Sequence, residues 1–238
     1  MRRNIIVITF SLITSFLLAN CSRQNSTDHL NQSATYYFGL IKTGNQANSF
    51  TEEELQEIQK AHLANIVRLA EEGKLILAGP FWRENSDNIY RGIFIYTVAT
   101  LEEAETLVQT DPAVQAGRLR VELYPWLGSK TLHYDKNGEM RAFQAAIFWH
   151  ASEKSDINFD DLYELQSETI STLSDTARIV LAGPFQGKPS DGSPHSFFVY
   201  SVDNVYQIDK IAKQIYDKYP KQLNATVLDW YGPVGLAE

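Results

Sequence analysis

The sequence predicts an α+β fold in which two copies of one β-α-β-β-α-β unit pack together as a pseudo-two-fold barrel. The first observation is an internal repeat, since Leu77–Phe81 recurs as Leu181–Phe185, 104 residues later. The same offset aligns large apolar residues over about sixty positions. These pairs include Ile66 with Ile170, Leu69 with Leu173, Phe94 with Phe198 and Trp126 with Trp230. The second observation is that apolar strands alternate with capped, amphipathic helices within each copy.

The first copy contains four predicted strands and two predicted helices. The strands are 36–41, 75–81, 91–98 and 119–126, which are rich in β-branched and aromatic residues. Thr51 with Glu54 and Thr100 with Glu103 form capping-box patterns, which predict helix starts. The first helix carries apolar residues at helical spacing and is predicted to stop at Gly73, and the second reaches about residue 110.

The second copy runs from about residue 142 to 231, with helices predicted near 158–175 and 203–218. A polar, turn-rich linker precedes it, so the predicted domains are 35–128 and 141–238, separated by 129–140. Each four-stranded antiparallel sheet has helices on one face, and its other face needs cover. Packing the two sheets together within one chain supplies that cover and predicts an intramolecular pseudo-dimer.

The composition indicates a globular protein and excludes some partners. Hydrophobic residues make up 44% of the 238 residues, and charged residues make up 21%. The formal net charge of −8 argues against nucleic acid, which requires a basic surface, and against electrostatic binding to anionic lipid. A single cysteine excludes an internal disulfide. No zinc-ligand spacing, phosphate-binding loop or nucleophile elbow is present, so no metal and no cofactor is expected.

The first 34 residues predict export and a lipid anchor. Arg2 and Arg3 precede an uncharged run, 5–19, that is too short to span a bilayer but long enough for a signal peptide. Leu18-Ala19-Asn20-Cys21 resembles the bacterial lipoprotein box, although Asn20 departs from the Gly, Ala or Ser usual there. Residues 1–20 are therefore predicted as a lipoprotein signal peptide, Cys21 as the lipidation site and 21–34 as a polar tether. The resemblance implies a bacterial envelope location, on the outer membrane in a Gram-negative cell. The alternative is a secretory signal with an incidental cysteine.

One family resemblance covers the whole first copy, about 90 residues. It is carried by Ala61-His62-Leu63, Glu71–Leu75, Ala78-Gly79-Pro80, Arg91-Gly92, Leu101–Ala104, Asp111-Pro112, Gly117 and Pro125-Trp126. This order and spacing resemble the YCII-related family, and the second copy matches only in its skeleton. The resemblance implies small ferredoxin-like domains that form dimeric α+β barrels, with a His–Asp pair as the proposed active site. It also implies, for a few members, a role in breakdown of chlorinated aromatics, including one dehydrochlorinase.

His62 and Asp111 are the candidate catalytic residues. His62 shares the apolar stripe of its helix with Ile58 and Ile66, so it is predicted to face the sheet. It could instead be a core histidine satisfied by one carbonyl. Asp111 follows the buried stripe of the next helix, and it could instead cap a short helix that begins at Pro112. As a pair they would perform general acid–base chemistry, because a carboxylate holds an imidazole in one tautomer.

The internal repeat favours the functional interpretation of this pair. At the 104-residue offset, Gln166 replaces His62 and Ile215 replaces Asp111. The same scaffold is therefore predicted to fold without either residue. Joint loss is expected of a functional pair more than of two separate structural residues.

Three further residues are candidates for substrate binding. Arg91, at the start of a strand, could clamp a carboxylate, or it could be a solvated strand-end charge. Pro80 and Tyr37 could line an apolar pocket, or they could be architectural. The histidines at 29, 133, 150 and 195 fall in four different segments, so no metal site is expected from them.

Three functions remain open from the sequence. The first is an envelope enzyme that acts on a small organic acid or aromatic breakdown product through elimination, isomerisation or dehydrochlorination. The second is a non-catalytic module that binds a small molecule or serves as an envelope scaffold. The third is a purely structural lipoprotein.

Overall fold

The structure is a computed structural model that describes residues 33–81, 89–129, 132, 139–202 and 206–235. The predicted signal peptide, Cys21 and the tether up to residue 32 lie outside the described residues, as does most of the predicted linker. Residues from Ala34 onward belong to one compact unit, which contains both copies. In the part of the chain that is described, no helix is both long enough and apolar enough to cross a membrane.

The first copy has the predicted element order with one short helix added. Its elements are β1 (Ser33–Thr43), α1 (Glu52–Glu71), β2 (Leu75–Pro80), β3 (Tyr90–Tyr96), α2 (Leu101–Val108), α3 (Pro112–Gln115) and β4 (Leu119–Ser129). The second copy comprises β5 (Met140–His150), α4 (Phe159–Ser171), β6 (Arg178–Pro184), β7 (Pro194–Ser201), α5 (Tyr206–Lys218) and β8 (Leu223–Pro233).

The helix starts follow the capping patterns of the sequence, with one difference. Glu54 N donates to Thr51 Oγ1 at 3.3 Å and Thr51 N donates to Glu54 Oε2 at 2.8 Å, so the predicted capping box opens α1. At α2, Glu103 N donates to Thr100 Oγ1, but the Glu103 carboxylate accepts from Ala99 N instead of Thr100 N. The second capping box is therefore only half formed.

Both sheets have the same topology. The first sheet has the order β2-β3-β1-β4 and the second β6-β7-β5-β8. The helices of each copy cover one face of its sheet, where Phe94 and Tyr96 of β3, and Phe198 and Tyr200 of β7, are buried. The predicted antiparallel α+β fold is confirmed in both copies.

The two sheets meet edge to edge and enclose a shared core. Trp126 forms an antiparallel bridge with Phe185, and Phe81 forms one with Trp230, so β4 lies beside β6 and β2 beside β8. The other sheet faces supply the interior, whose largest fully buried members include Phe38, Phe197 and both tryptophans. This arrangement confirms the predicted α+β barrel within one chain.

The repeated Leu-Ala-Gly-Pro-Phe segment lies at these two seams, where the glycine leaves room for the other copy. A Cβ on Gly183 would lie 1.9 Å from Leu127 O and 2.7 Å from the Trp126 ring. A Cβ on Gly79 would lie 2.4 Å from Trp230 Nε1. Trp126 Nε1 donates to Gly183 O at 2.9 Å. The seams therefore require glycine in both copies.

The strands at the copy boundaries are longer than predicted because they take part in pairing between strands and copies. β4 continues past Trp126 to Ser129, whose carbonyl accepts from the Tyr36 hydroxyl at 2.9 Å. Pro125 O accepts from Gln186 N at 2.8 Å. β5 begins at Met140, which pairs with Pro233 of β8. The predicted domain boundaries at 128 and 141 therefore fall inside or at the edge of strands.

Candidate active site

His62 and Asp111 meet between α1 and the start of α3. His62 Nδ1 lies 2.8 Å from Asp111 Oδ2 and 2.9 Å from Oδ1. Both residues are buried, with exposed fractions of 8% and 2%. A carboxylate can only accept, so this contact places the proton of a neutral His62 on Nδ1 and leaves the lone pair on Nε2. Within the described residues, Nδ1 makes all the hydrogen bonds of this ring.

Asp111 has two partners: it contacts His62 and it also caps the short helix α3. Both roles considered for it from the sequence are therefore present. Its Oδ1 accepts from Ala113 N at 2.9 Å and caps α3, which begins with Pro112 at its first position. The same carboxylate contacts His62. The cap holds the carboxylate in a fixed position beside the imidazole, so α3 supports the pair.

Aromatic side chains of β3 pack next to the His62–Asp111 pair. The His62 ring lies 6.1 Å from the Phe94 ring, and Phe94 lies 5.7 Å from Tyr96. Burial, and then the negative charge of Asp111, raise the pKa of Tyr96 well above its ordinary value. Tyr96 is therefore a neutral hydroxyl close to the carboxylate.

A row of polar contacts flanks the pair along α1. Arg118 Nη1 donates to Gln59 Oε1 at 2.8 Å on one side. On the other side Thr110 Oγ1 donates to Asn65 Oδ1 at 3.2 Å. Arg68 Nη2 donates to the same oxygen at 2.8 Å. These contacts join α1 to the segment between α2 and β4, so His62 and Asp111 lie inside a structural joint.

The second copy keeps the joint and lacks the pair. Thr169 Oγ1 donates to Gln214 Oε1, which repeats the Asn65–Thr110 contact at the 104-residue offset. Gln166 stands in place of His62, is fully buried and accepts from the Tyr200 hydroxyl. Ile215, in place of Asp111, is part of the apolar core. The contact that joins the helices is conserved between the copies, while the ionisable pair is present only in the first.

One family model matches the first copy. Residues 36–127 match the sequence model of the YCII-related domain family. The first copy is a YCII-related domain. Both His62 and Asp111 lie within the matched range, and the second copy lies outside it.

Solved structures share the barrel of both copies together. Two variants of chlorite dismutase from Candidatus Nitrospira defluvii are similar over 87% of this chain and 94% of theirs. The first has 10% sequence identity and a TM-score of 0.58. The second, in complex with cyanide, has 11% identity and a TM-score of 0.56. Likeness at such identity shows the fold alone. No curated protein sequence matches this chain.

The other candidate residues of the YCII-related domain lie apart from the pair. Arg91 occupies a bulge where β3 pairs with β1, and its Nε donates to Thr43 Oγ1 at 2.9 Å. Within the described part of the chain, the Tyr37 hydroxyl makes one hydrogen bond, a long one of 3.4 Å to Ala99 O. Pro80 is exposed at the end of β2 and pairs with Gly92. Among the described residues none of the three hydrogen-bonds to His62 or Asp111, and their role in binding stays a prediction.

Sequence reasoning separated two histidines that the fold brings together. His150 ends β5 and His195 lies near the start of β7, and their ring centroids are 5.0 Å apart. His195 Nε2 lies 3.0 Å from Ile157 O and its Nδ1 lies 2.8 Å from Ser196 Oγ, whereas His150 Nδ1 has no partner within the described part of the chain. Their segments are neighbours because β5 pairs with β7, a pairing that residue spacing alone does not reveal. In the described ranges, no group of three or more His, Cys, Asp or Glu side chains is placed to hold a metal ion.

The two facing histidines are expected to make folding sensitive to mild acid. Burial lowers the pKa of both, and His195 lowers that of His150 further. Both are neutral in the folded and unfolded chain at pH values well above about 6.5, the pKa of an unfolded histidine. As the pH falls toward and below that value, the histidines become protonated in the unfolded chain but stay neutral in the folded chain. The free energy of unfolding therefore decreases. The slope approaches about 1.4 kcal/mol per pH unit for each histidine.

Urea unfolding between about pH 5 and 7 measures this slope. The His150→Gln variant should show a shallower dependence than wild type, because one fewer group titrates. An identical slope in the variant would contradict the prediction.

Proposed function

We propose that the YCII-related domain is a small-molecule enzyme site in which His62, oriented by Asp111, moves a proton through Nε2. The substrate class is a small organic acid or an oxygenated aromatic breakdown product, with or without a halogen substituent. The observation that carries this proposal is the contact of Nδ1 with both carboxylate oxygens at 2.8 and 2.9 Å. The same barrel contains a second copy without either residue, which supports a role beyond folding.

The pair can perform general base chemistry at one atom. Nε2 takes a proton from a carbon beside a carbonyl group, and the electron pair of the broken C–H bond forms a C=C bond. In an elimination, the carbon–halogen bond breaks and halide leaves with its electrons. In an isomerisation, the proton returns to a neighbouring atom of the substrate. Asp111 stabilises the imidazolium that forms in between.

Deuterium exchange and halide release test this proposal across a panel of compounds from the substrate class. The full chain is incubated in D2O with small oxo acids that carry either hydrogen or chlorine on the β-carbon, and proton loss and chloride release are followed by NMR and ion chromatography. His62→Gln and Asp111→Asn should lower the rate by about 100-fold or more. His150→Gln, which changes a buried histidine of the other copy, should not. Absence of turnover across the panel, or an unchanged rate in His62→Gln, would refute an enzymatic role.

A second function is favoured by the joint that surrounds the pair. Asp111 caps α3, and the contacts on either side join α1 to the following segment. If these polar residues serve only to hold the helices together, His62 and Asp111 have no catalytic role. The domain would then act as a binding or scaffold module. In that case small ligands would raise the melting temperature without being converted, and His62→Gln would leave their affinity unchanged.

We also propose that this protein acts at the bacterial envelope, anchored through Cys21. Support comes from the basic start, the short apolar run and the cysteine at residue 21. Cells fed a palmitate analogue should label the wild-type chain and not the Cys21→Ala variant. Equal labelling of both, or none of either, would refute the anchor.

A further inference from the structure

A tyrosine occupies the same position in both copies, although its neighbour on the helix differs. Tyr96 of β3 and Tyr200 of β7 are related by the 104-residue offset, and both are fully buried on the helix side of their sheet. Tyr200 contacts Gln166, and Tyr96 occupies the equivalent strand position in the copy that carries His62. The same tyrosine is thus present in a copy with histidine on the helix and in a copy with glutamine there.

In the second copy this hydroxyl is engaged. The Tyr200 hydroxyl donates to Gln166 Oε1, so the side chain on the strand reaches the side chain on the helix. The contact shows that a tyrosine at this strand position is long enough to meet the residue at the His62 position. The tyrosine hydroxyl of the second copy is therefore satisfied by a side chain of the same copy.

In the first copy the corresponding hydroxyl is unengaged. Tyr96 makes no hydrogen bond within the described residues, and His62 uses Nδ1 for Asp111. The Phe94 ring neighbours both the His62 ring, at 6.1 Å, and the Tyr96 ring, at 5.7 Å, so all three side chains belong to one cluster. A hydroxyl donor and the lone pair of Nε2 are therefore both left for a third molecule.

We propose that the Tyr96 hydroxyl is a further substrate-contacting residue, which donates a hydrogen bond to a carbonyl, carboxylate or phenolate oxygen of the ligand. This inference rests on the proposed function and narrows its substrate class to molecules with such an oxygen beside the proton that His62 removes. A neutral donor aimed at a developing oxyanion stabilises the charge that appears when the proton leaves. The high pKa of Tyr96 keeps this hydroxyl protonated throughout.

Binding of 4-nitrophenolate to the full chain tests the inference, with absorbance of the probe as the readout. Its oxygen is the acceptor that Tyr96 would meet. Tyr96→Phe keeps the ring and removes the donor, so the dissociation constant should rise about 10- to 100-fold and the absorption maximum of the bound probe should shift. Tyr200→Phe is the matched control and should bind as wild type, because the Tyr200 hydroxyl already serves Gln166.

Two results would overturn the inference: wild-type chain that does not bind the probe at millimolar concentration, or Tyr96→Phe that binds as tightly as wild type. The proposed function is judged separately by deuterium exchange with His62→Gln. Weaker binding in Tyr96→Phe together with no exchange in wild type would support Tyr96 as a ligand contact and refute the enzyme. Exchange that depends on His62, with Tyr96→Phe unchanged in binding, would do the reverse.

Discussion

Replacing Trp126 by alanine should lower the free energy of unfolding by about 3–5 kcal/mol, the range for truncation of a fully buried aromatic side chain. Trp126 is completely buried, and its ring lies against Gly183 of the other copy. Its Nε1 also donates to Gly183 O at 2.9 Å. The substitution therefore opens a cavity at a seam that joins the two copies. Urea unfolding followed by tryptophan fluorescence and circular dichroism measures the loss.

Two other tryptophans provide matched controls. Trp149 is only half-buried and its Nε1 donates to Thr226 Oγ1, so Trp149→Ala should cost about 1–2 kcal/mol. Trp230 is as buried as Trp126 but its Nε1 has no partner within the described residues. Trp126→Phe should therefore cost about 1 kcal/mol more than Trp230→Phe. Equal losses in Trp126→Ala and Trp149→Ala would contradict the seam as a main source of stability.

Replacing Asp111 by alanine should cost about 2–4 kcal/mol, whereas replacing His62 by glutamine should change stability by less than about 1 kcal/mol. Asp111→Ala removes the cap of α3 and leaves His62 Nδ1 buried without an acceptor. His62→Gln introduces the residue of the second copy, whose amide can still donate to Asp111. Both variants should lose proton transfer. His62→Gln should therefore lower activity while leaving the free energy of unfolding nearly unchanged.

Asn158→Ala calibrates the cap alone. Asn158 caps α4 through Asp160 N at 2.7 Å, as Asp111 caps α3. It should cost about 1 kcal/mol, and the excess in Asp111→Ala then measures the stranded imidazole. Should His62→Gln destabilise the chain as much as Asp111→Ala, the histidine would be a structural residue and the proposed function would lose its main support.

The fold could be predicted from the sequence because apolar periodicity and helix caps are local features. The repeat then shows that both halves share the same elements. Leu77–Phe81 and its copy mark the strand that meets the other half, and Thr51 with Glu54 marks the first turn of α1. Among the described strands, the first one departs from the fixed offset. Pairing with Ile95 and Val199 makes Phe38 equivalent to Ala145, an offset of 107. The first strand of the second copy therefore lies three residues further along the sequence than the 104-residue repeat predicts.

The site was only partly predictable, for reasons that involve tertiary pairing. Nothing in the spacing of Asp111 shows that one carboxylate serves both a cap and an imidazole. The same bulge holds Arg91 in one copy and His195 in the other, and their carbonyls accept from Phe81 N and Phe185 N. Which partner each side chain meets depends on the neighbouring strand, where β1 presents Thr43 to Arg91 and β5 presents His150 to His195.

The reciprocal seams have a consequence for how such a protein can evolve. In a barrel assembled from two identical chains, every substitution appears twice, so a change that removes one site removes both. Joining the halves in one chain frees each from that symmetry, since Gln166 and Ile215 alter one half and leave the other intact. The seam glycines and tryptophans cannot diverge in this way, because each half depends on the other at both edges. One half can thus become a permanent structural support, while the other keeps or changes its chemistry.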